Sequence, residues 1–352
     1  MPAASSSSLN LPLIVTAGEP AGVGGELLLM AVAKGEGGLI TIDDPARLTA
    51  LCKRGGIDLH IYETDGTNLA DSKNITLANS PNSLGVIPIT WPQSPEFGTP
   101  STANAKQVIA NIKQGVMLAQ NRQVAGIVTC PIQKASLYAA GFRYHGHTEY
   151  LAALDASDDR DQATPLMMLA CHDIGLRIVP LTIHIPLSEV TSHITEDKIY
   201  RTLHTMHTAL IQDFAIHPPR IYTAGLNPHA GEDGTIGREE TTIIAPAIAR
   251  AVADGLHIKG PYSADTLFTK AMQNKYDAVL AMYHDQALIP IKTLAFDTAV
   301  NITLGLRFIR TSPDHGTALD IAGSFTASPT SLMAAIQTAR LMYAHRHANT
   351  HV

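Results

Sequence analysis

Short apolar runs alternate with amphipathic segments along most of the chain, and this alternation limits the possible folds more than any other feature. Runs of strand length occupy residues 11–16, 39–43, 84–89, 126–130, 165–170, 177–185, 220–223 and 277–282. Helical periodicity marks the longer segments between them, of which 99–121 and 195–214 are the most regular. A chain that repeats strand and helix in this order is predicted to form an α/β fold with a mainly parallel sheet.

Length and composition set further limits. The chain has 352 residues, 45% of them hydrophobic and 16% charged, which favours two domains over one. The formal net charge of −6 and the lack of a basic block argue against a nucleic-acid partner. No window is apolar over the length that a membrane span needs.

The cysteines and the first ten residues favour a cytoplasmic protein. Cys52, Cys130 and Cys171 lie far apart and form no CxxC motif, which suits a reducing compartment. Residues 1–10 hold a serine run and no positive side chain, so they do not resemble a signal peptide. We expect this segment to be a disordered tail.

Two polar turns are candidates for binding an anion. Residues 17–26 form a glycine-rich turn between a strand and a helix, a layout that presents free N–H groups to a phosphate. Their spacing does not fit GxGxxG, and a tight turn that needs positive φ explains the glycines equally simply. In the second turn, residues 141–149, His147 and Thr148 precede a helix and suit a phosphate, with helix capping as the alternative.

Three histidines lie at or near the carboxyl ends of predicted buried strands, where open α/β sheets place their sites. They are His184, His229 and His284. Three imidazoles with an open fourth position form a catalytic arrangement for zinc and similar divalent metals. For His184, placed within the predicted strand 177–185, the alternative is a hydrogen-bonded core residue.

Residues 283–318 add charged and polar side chains after the last of these strands. Lys292, Asn301 and Arg310 suit a phosphate or a carboxylate, although surface ion pairing would also account for the two cations. Asp265 follows a predicted loop at Gly260 and Pro261, and a helix-start acid is its simplest interpretation. The residues alone therefore indicate an α/β enzyme for a small anionic substrate, and they do not define its reaction.

Six motifs, in this order, resemble those of the 4-hydroxythreonine-4-phosphate dehydrogenase family, which acts in pyridoxal phosphate biosynthesis. They are residues 18–24 (Gly-Glu-Pro-Ala-Gly-Val-Gly), 146–149 (Gly-His-Thr-Glu), 225–232 (Gly-Leu-Asn-Pro-His-Ala-Gly-Glu), 264–266 (Ala-Asp-Thr), 283–286 (Tyr-His-Asp-Gln) and 301–318. The resemblance covers nearly the whole chain beyond the serine run.

The resemblance implies a fold and a domain plan. The family's fold is similar to that of isocitrate and isopropylmalate dehydrogenases, with two α/β domains and a cleft between them, and it is not a Rossmann fold. We predict a first domain at 1–140 plus 296–352. The second, at 141–295, would carry most metal ligands and the interface of a homodimer whose active sites draw on both subunits.

The resemblance also implies roles for residues. The matched metal-ligand positions are His184, His229 and His284, and Asp265 matches an acid near the metal. The matched substrate positions are His147, Thr148, Lys292, Asn301 and Arg310, with Lys292 also a candidate for proton transfer. Asp314, His315 and Gly316 are predicted near the cofactor. Arg307 stands where proline is usual and adds charge near Arg310.

The implied reaction is oxidation of 4-phosphooxy-L-threonine at C3 by NAD or NADP, followed by decarboxylation to 3-amino-2-oxopropyl phosphate. One divalent ion, zinc, magnesium or cobalt, would serve each active site. The nearest alternative is a sister dehydrogenase that acts on 4-phospho-D-threonate or 4-phospho-D-erythronate. Two further alternatives are a non-catalytic phosphate- or metal-binding protein on the same fold and, from three histidines alone, a metal hydrolase.

Overall fold

The computed structural model describes residues 11–156 and 165–348, so the predicted serine-rich tail lies outside the described residues. The strands of the described chain are β1 (Leu13–Thr16), β2 (Leu39–Asp43), β3 (His60–Glu63), β4 (Ser83–Pro88), β5 (Ile127–Thr129), β6 (Leu166–Cys171), β7 (Leu176–Pro180), β8 (Arg220–Ala224), β9 (His257–Tyr262), β10 (Ala278–Ala281), β11 (Val300–Leu304) and β12 (Arg310–Pro313).

The α-helices alternate with these strands as the sequence predicts. They are α1 (Gly24–Ala33), α2 (Pro45–Gly55), α3 (Ser72–Ala78), α4 (Thr102–Gln120), α5 (Lys134–Ala139), α6 (His147–Asp155), α7 (Val190–His193), α8 (Glu196–Phe214), α9 (Ala245–Ala253), α10 (Ala264–Leu267), α11 (Lys270–Gln273), α12 (His284–Ala295) and α13 (Thr330–Ala348). Within residues 11–156 and 165–348, no helix combines the length and the hydropathy that crossing a membrane requires.

The described chain divides into two compact units, as an α/β protein of two domains should. The first unit comprises Met1–Asp155 with Arg307–Arg340, and the second comprises Ala156–Leu306 with Leu341–Val352. The predicted α/β fold class is thereby confirmed.

All the strand pairs of the first unit are parallel, in the order β3-β4-β2-β1-β5-β12. Strands β1 and β2 are buried along their whole length, as expected for a sheet covered on both faces. Local signals fix the helices between them. Helix α2, for example, begins where Asp44 Oδ1 accepts the N–H of Ala46, and it ends before Gly56 in the left-handed region.

The second unit has the strand order β11-β6-β7-β10-β8-β9. Strands β7, β10, β8 and β9 are parallel, whereas β6 runs antiparallel to both β11 and β7. Its core packs helix α12 onto this sheet through buried side chains such as Ile178, Val279 and Ile291. The sheet is therefore mainly parallel, as predicted, with an antiparallel portion that the apolar pattern does not distinguish.

The unit boundaries differ from the predicted ones at 140/141 and 295/296. Helix α6 groups with the first unit because it packs on α4, where Tyr150 Oη donates to Ile109 O and Gln120 Nε2 donates to Leu154 O. Strand β11 groups with the second unit because it pairs with β6 along its length. The last part of α13 follows the second unit, where Arg346 binds Asp213 at the end of α8.

Several local predictions were wrong. The predicted strand 177–185 ends at Pro180, so His184 lies in the loop beyond it. Strand β9 runs through Gly260 and Pro261, where we expected a loop. Helices α3, α5, α7, α11 and α12 were not predicted. The last of these contains Pro290, a residue that normally marks a helix boundary.

Candidate active site

Cationic and hydroxyl side chains of the first unit lie together where β5, β12 and helix α6 meet. We call this group the anion cluster and define it as Thr129, Lys134, His147, Thr148 and Arg310. The guanidinium of Arg310 donates to Thr129 Oγ1 from Nε at 3.2 Å and from Nη2 at 2.7 Å. The charges of Arg310 and Lys134 both act on His147, which begins α6.

Arg310 is a buried cation, only 3% exposed. Burial lowers its pKa from 12.5 to about 9, which still leaves the guanidinium charged at neutral pH. Surface ion pairing, the alternative considered for this residue, is therefore excluded by its position. A buried guanidinium offers planar, forked donors that match a phosphate.

His147 is held neutral in the same cluster. Burial lowers the pKa of its imidazole well below 6.5, and the positive charges of Arg310 and Lys134 lower it further. Its Nε2 atom is buried without a hydrogen-bond partner among the described residues. A buried polar atom without a protein partner is available to a ligand or a water, and a neutral imidazole can donate one hydrogen bond to a phosphate oxygen.

Helix α6 places its N-terminus in the anion cluster. The helix begins at His147, so Thr148 is its second residue and lies inside the first turn, not before it as a capping residue would. The first N–H groups of a helix have no partner within the helix, and they favour an anion. Backbone, hydroxyl, imidazole and guanidinium donors thus converge on one place.

Lys134 is a member of the anion cluster that sequence analysis missed. It is exposed, begins α5, and follows the end of β5 by five residues. That position after a buried strand was the available signal, the same one that selected the histidines.

Arg307 bonds to Asp155 and is not a member of the anion cluster. Its Nε donates to Asp155 Oδ1 at 2.9 Å, and its Nη2 donates to Asp155 O at 2.7 Å. This arginine anchors the end of α6, which accounts for a cation at a position where the family usually has proline.

The predicted cofactor residues form the loop after β12. Asp314 donates its N–H to Ser331 Oγ, and His315 Nδ1 lies 2.9 Å from Gly316 O. The Nε2 atom of His315 is buried and has no partner among the described residues. The loop contacts the first glycine-rich turn, since Val23 donates its N–H to Thr317 O at 3.1 Å.

That glycine-rich turn is tightly packed. Gly18 has φ +70°, and a Cβ there would stand 2.1 Å from Pro131 O. A Cβ at Gly24 would stand 2.1 Å from Ala17 O. Close packing is therefore sufficient to explain these two glycines. This agrees with the interpretation of residues 17–26 as a tight turn, and phosphate binding is not needed to account for them.

His184 and His284 come together in the second unit. Their ring centroids lie 5.9 Å apart. The loops that carry them are joined where Leu181 N–H donates to Ala281 O and Thr182 Oγ1 donates to Met282 O, both at 2.8 Å. His184 has φ 31°, an uncommon value for a residue with a side chain, and such values concentrate at functional sites.

His284 is oriented by its neighbour. It begins helix α12, and its Nδ1 lies 2.6 Å from Asp285 Oδ1. When Nδ1 carries the proton that Asp285 accepts, Nε2 keeps its lone pair for a ligand. This is the arrangement that metal-binding histidines usually have.

His229 occupies a left-handed turn. Residues 229–233 all have positive φ, between 43° and 77°, and only Gly231 among them is a glycine. Left-handed backbone costs about 1–2 kcal/mol for each residue that has a Cβ. Runs of such residues are rare, and the sequence did not predict a left-handed turn here.

Asp265 lies near His229. The hydrogen bond from Ser263 Oγ is the main cause that lowers the pKa of Asp265, and the nearby His229 lowers it further. The carboxylate is therefore ionised at neutral pH. It is the second residue of helix α10, so its favourable place in the first turn of a helix and its place near His229 are both observed.

Two predicted residues are placed without a defined role. Lys292 lies on α12 with Nζ 5.7 Å from the centre of the Phe296 ring, and Asn301 lies in β11 opposite Leu169. Neither contact tests the prediction that these side chains bind substrate.

The donor chemistry of the three histidines fits a divalent cation. A zinc-bound imidazole has its ring centroid about 3 Å from the ion, so two ligands of one ion have centroids within about 6 Å. The separation of 5.9 Å between His184 and His284 meets that limit. Among the described residues of the single chain, however, no three His, Cys, Asp or Glu side chains are grouped so that they could hold an ion. The site shared between two copies thus stays a prediction.

Comparison with known proteins identifies the family. The family model described as "Pyridoxal phosphate biosynthetic protein PdxA" matches residues 39–339. The chain is 42% identical over 343 residues to 4-hydroxythreonine-4-phosphate dehydrogenase of Methylorubrum extorquens, covering 96% of each chain. It is 44% identical over 338 residues to the Caulobacter vibrioides protein of that name, covering 95% of this chain and 98% of the other.

A solved structure agrees with this assignment. The crystal structure of 4-hydroxythreonine-4-phosphate dehydrogenase from Klebsiella pneumoniae superposes with a TM-score of 0.83 at 34% identity, covering 95% of this chain and all of that one. The predicted family resemblance and fold are both confirmed by these matches. The chain therefore belongs to the pyridoxal phosphate biosynthetic protein PdxA family.

Proposed function

We propose that this chain, a dehydrogenase of pyridoxal phosphate biosynthesis, oxidises 4-phosphooxy-L-threonine at C3 with NAD or NADP. The oxidised acid then loses CO2 and gives 3-amino-2-oxopropyl phosphate. Relatives that carry the name 4-hydroxythreonine-4-phosphate dehydrogenase align over nearly the whole chain. The observation that carries the proposal is the anion cluster, in which a buried arginine and an unpartnered, neutral imidazole match a phosphate.

In this proposal the anion cluster binds the substrate phosphate. Arg310 supplies charge and forked donors, His147 donates from Nε2, and Thr148 adds a hydroxyl at the start of α6. Lys134 is exposed and attracts the anion from solvent. Binding energy gained at the phosphate is remote from C3, so it can be used to hold the reacting carbon in place.

The three histidines are assigned to a divalent cation, with zinc, cobalt and magnesium as the candidates. When bound by His184, His229 and His284, such an ion polarises the C3 oxygen and stabilises negative charge that develops on it. Asp285 holds His284 in the tautomer that leaves Nε2 available, and Asp265 adds negative charge beside His229. We propose that two copies of the chain complete each site.

The remaining groups are assigned to proton and hydride transfer. A bound nicotinamide would supply the acceptor for the C3 hydride, and Lys292 accepts the C3 hydroxyl proton, directly or through water. In the second step the bond from C2 to the carboxyl carbon breaks, CO2 leaves, and a proton replaces it at C2. Asn301 is assigned to substrate binding, and the loop of Asp314, His315 and Gly316 to cofactor binding.

The deciding experiment measures NADH or NADPH formation by the purified protein. It compares 4-phosphooxy-L-threonine with 4-phospho-D-threonate and 4-phospho-D-erythronate, each with added zinc, cobalt or magnesium. Product analysis for 3-amino-2-oxopropyl phosphate and CO2 confirms the second step. Turnover of the hydroxy acids alone would reject the substrate and favour the sister dehydrogenase, while phosphate release without dependence on NAD would favour a hydrolase.

A matched pair of variants tests the metal site. His229→Ala should abolish turnover in a chain that remains folded and dimeric. His204→Ala removes a half-exposed histidine that pairs with Asp254, and it should leave turnover unchanged. Metal-dependent turnover retained by His229→Ala would contradict the assignment. The oligomeric state, measured by light scattering, tests the proposed dimer separately.

A further inference from the structure

The left-handed turn that carries His229 is anchored on one buried carboxylate. Glu240 is 2% exposed and lies in a π-helical turn, Glu240–Ile244, ahead of α9. Its Oε1 accepts the N–H groups of Leu226 and Asn227, both at 2.7 Å, and its Oε2 accepts Asn227 Nδ2 at 2.9 Å. π-Helical turns are rare and occur mostly at functional sites.

The backbone around this carboxylate has little freedom. A Cβ at Gly231 would stand 2.6 Å from Glu240 Oε2, and a Cβ at Gly237 would stand 2.2 Å from Asn227 Nδ2. A Cβ at Gly225 would stand 2.9 Å from Ala230 Cα. The carboxylate thus fits a cradle formed by residues 225–227, Gly231 and Gly237. This cradle fixes the start of the turn, two to three residues before His229.

The same cradle is tied to the segments that carry Asp265 and His284. Gly225 donates its N–H to Tyr262 O at 2.8 Å, three residues before Asp265. Gly225 O accepts Gln286 Nε2 at 2.8 Å, two residues after His284, and Gln286 Oε1 accepts the N–H of Met282 at 2.6 Å. The backbone N–H and C=O of one residue, Gly225, therefore connect three segments assigned to the active site.

We propose that Glu240 is a positioning residue for His229. Its carboxylate holds residues 226 and 227, these set the hand of the turn, and the turn directs the imidazole without Glu240 being a ligand itself. The inference rests on the proposed function, which makes His229 a metal ligand. Groups that orient a ligand typically change metal affinity by about 10–100-fold when they are removed.

The test measures Zn²⁺ affinity by competition with a chromophoric chelator, together with amide hydrogen exchange of residues 226–233 in the metal-free chain. Glu240→Ala removes all three acceptor contacts. Glu240→Gln keeps the shape and the two backbone contacts but opposes its amide N–H₂ to Asn227 Nδ2. Thr242→Ala is the matched control, since Thr242 is exposed and its hydroxyl donates to Arg238 O, which is not one of the groups bonded to Glu240. His229→Ala reports the contribution of the ligand.

We expect Glu240→Ala to lower Zn²⁺ affinity by about 10–100-fold and to speed exchange in 226–233, with normal circular dichroism. Glu240→Gln should lower Zn²⁺ affinity less and speed exchange less. This variant tests the positioning role if Glu240→Ala does not fold. Wild-type affinity and exchange in a folded Glu240→Ala or Glu240→Gln, beside a weakened His229→Ala, would overturn the positioning role alone. Wild-type affinity in His229→Ala would overturn the metal assignment and this inference with it.

Discussion

Replacing Arg310 with methionine should have opposite effects on phosphate binding and on stability. The side chain is buried, and methionine can fill much of its volume without a charge. If the guanidinium exists to bind phosphate, its removal should weaken that binding strongly. The metal-free, phosphate-free chain should meanwhile unfold no more easily than the wild type, because a desolvated cation has been taken out of the interior.

The magnitudes follow from the environment of Arg310. A fall in pKa from 12.5 to about 9 corresponds to about 5 kcal/mol against the charged form, an upper limit to the stability gained on its removal. Loss of its hydrogen bonds, those to Thr129 among them, subtracts at least about 1.5–3 kcal/mol. The expected net gain in stability is therefore at most about 3.5 kcal/mol. Truncating one partner of a buried charge pair costs about 2–5 kcal/mol of binding, or about 30-fold to several thousand-fold in affinity.

The assay pairs calorimetric titration of inorganic phosphate with urea unfolding, and it adds KM for 4-phosphooxy-L-threonine. Arg307→Met is the matched control, since Arg307 is half-exposed and bonded to Asp155, and it should change phosphate affinity little and stability by about 0–1 kcal/mol. Wild-type phosphate affinity in Arg310→Met would refute the anion cluster. A clear loss of stability in the phosphate-free variant would refute the reasoning that this cation is kept for a ligand.

Three further predictions concern single groups. The pKa of His147 is lower in the folded than in the unfolded chain, so the unfolded chain takes up the proton first as pH falls below 6.5. Its contribution to stability is therefore complete above that pH and is lost below it, by at most about 1.4 kcal/mol per pH unit. In NMR titrations, the imidazole signal that disappears in His147→Gln should still be that of a neutral ring below pH 6.5, and the variant should also lose this pH dependence of stability. Gly24→Ala places a Cβ 2.1 Å from Ala17 O and should lower the melting temperature, whereas Gly35→Ala meets no atom within 4 Å and should cost only the strain of its positive φ. Burial raises the pKa of the Cys130 thiol to about 12, so thiol reagents at pH about 8 should label it only after unfolding.

The sheet could be predicted from the sequence because buried parallel strands have a strong signal. The run 278–282 is apolar throughout, the run 39–43 is apolar except for Thr41 and Asp43, and the structure places strands over almost the same residues. The start of α2 is indicated just as clearly, because Asp44 and Pro45 are residue types that favour the first positions of a helix. Strands and helix ends that depend on neighbouring residues could therefore be predicted from the sequence.

The rest depended on contacts between distant residues. Helix α12 contains Pro290 and yet forms, because its buried residues Ala287 and Ile291 pack on the sheet. The left-handed turn at 229–233 has only one glycine and depends on Glu240, which comes seven residues after it. Lys134 follows a buried strand, but its place beside His147 is set by the fold. Periodicity cannot show such relations, since each is set by tertiary structure.

The two candidate sites share a property that supports a functional origin. Arg310 places a charge in the interior, and residues 229–233 place four side chains on left-handed backbone. Each feature has a local cost, because a buried charge loses its hydration and left-handed backbone is unfavourable for residues with a Cβ. Departures from the most stable local choice persist where function requires them. Both occur at residues whose chemistry suits the proposed substrate, guanidinium for its phosphate and imidazole for an ion at its C3 oxygen. A stabilising variant at either place should therefore lose activity, and one that kept full activity would remove the physical reason for linking these features to function.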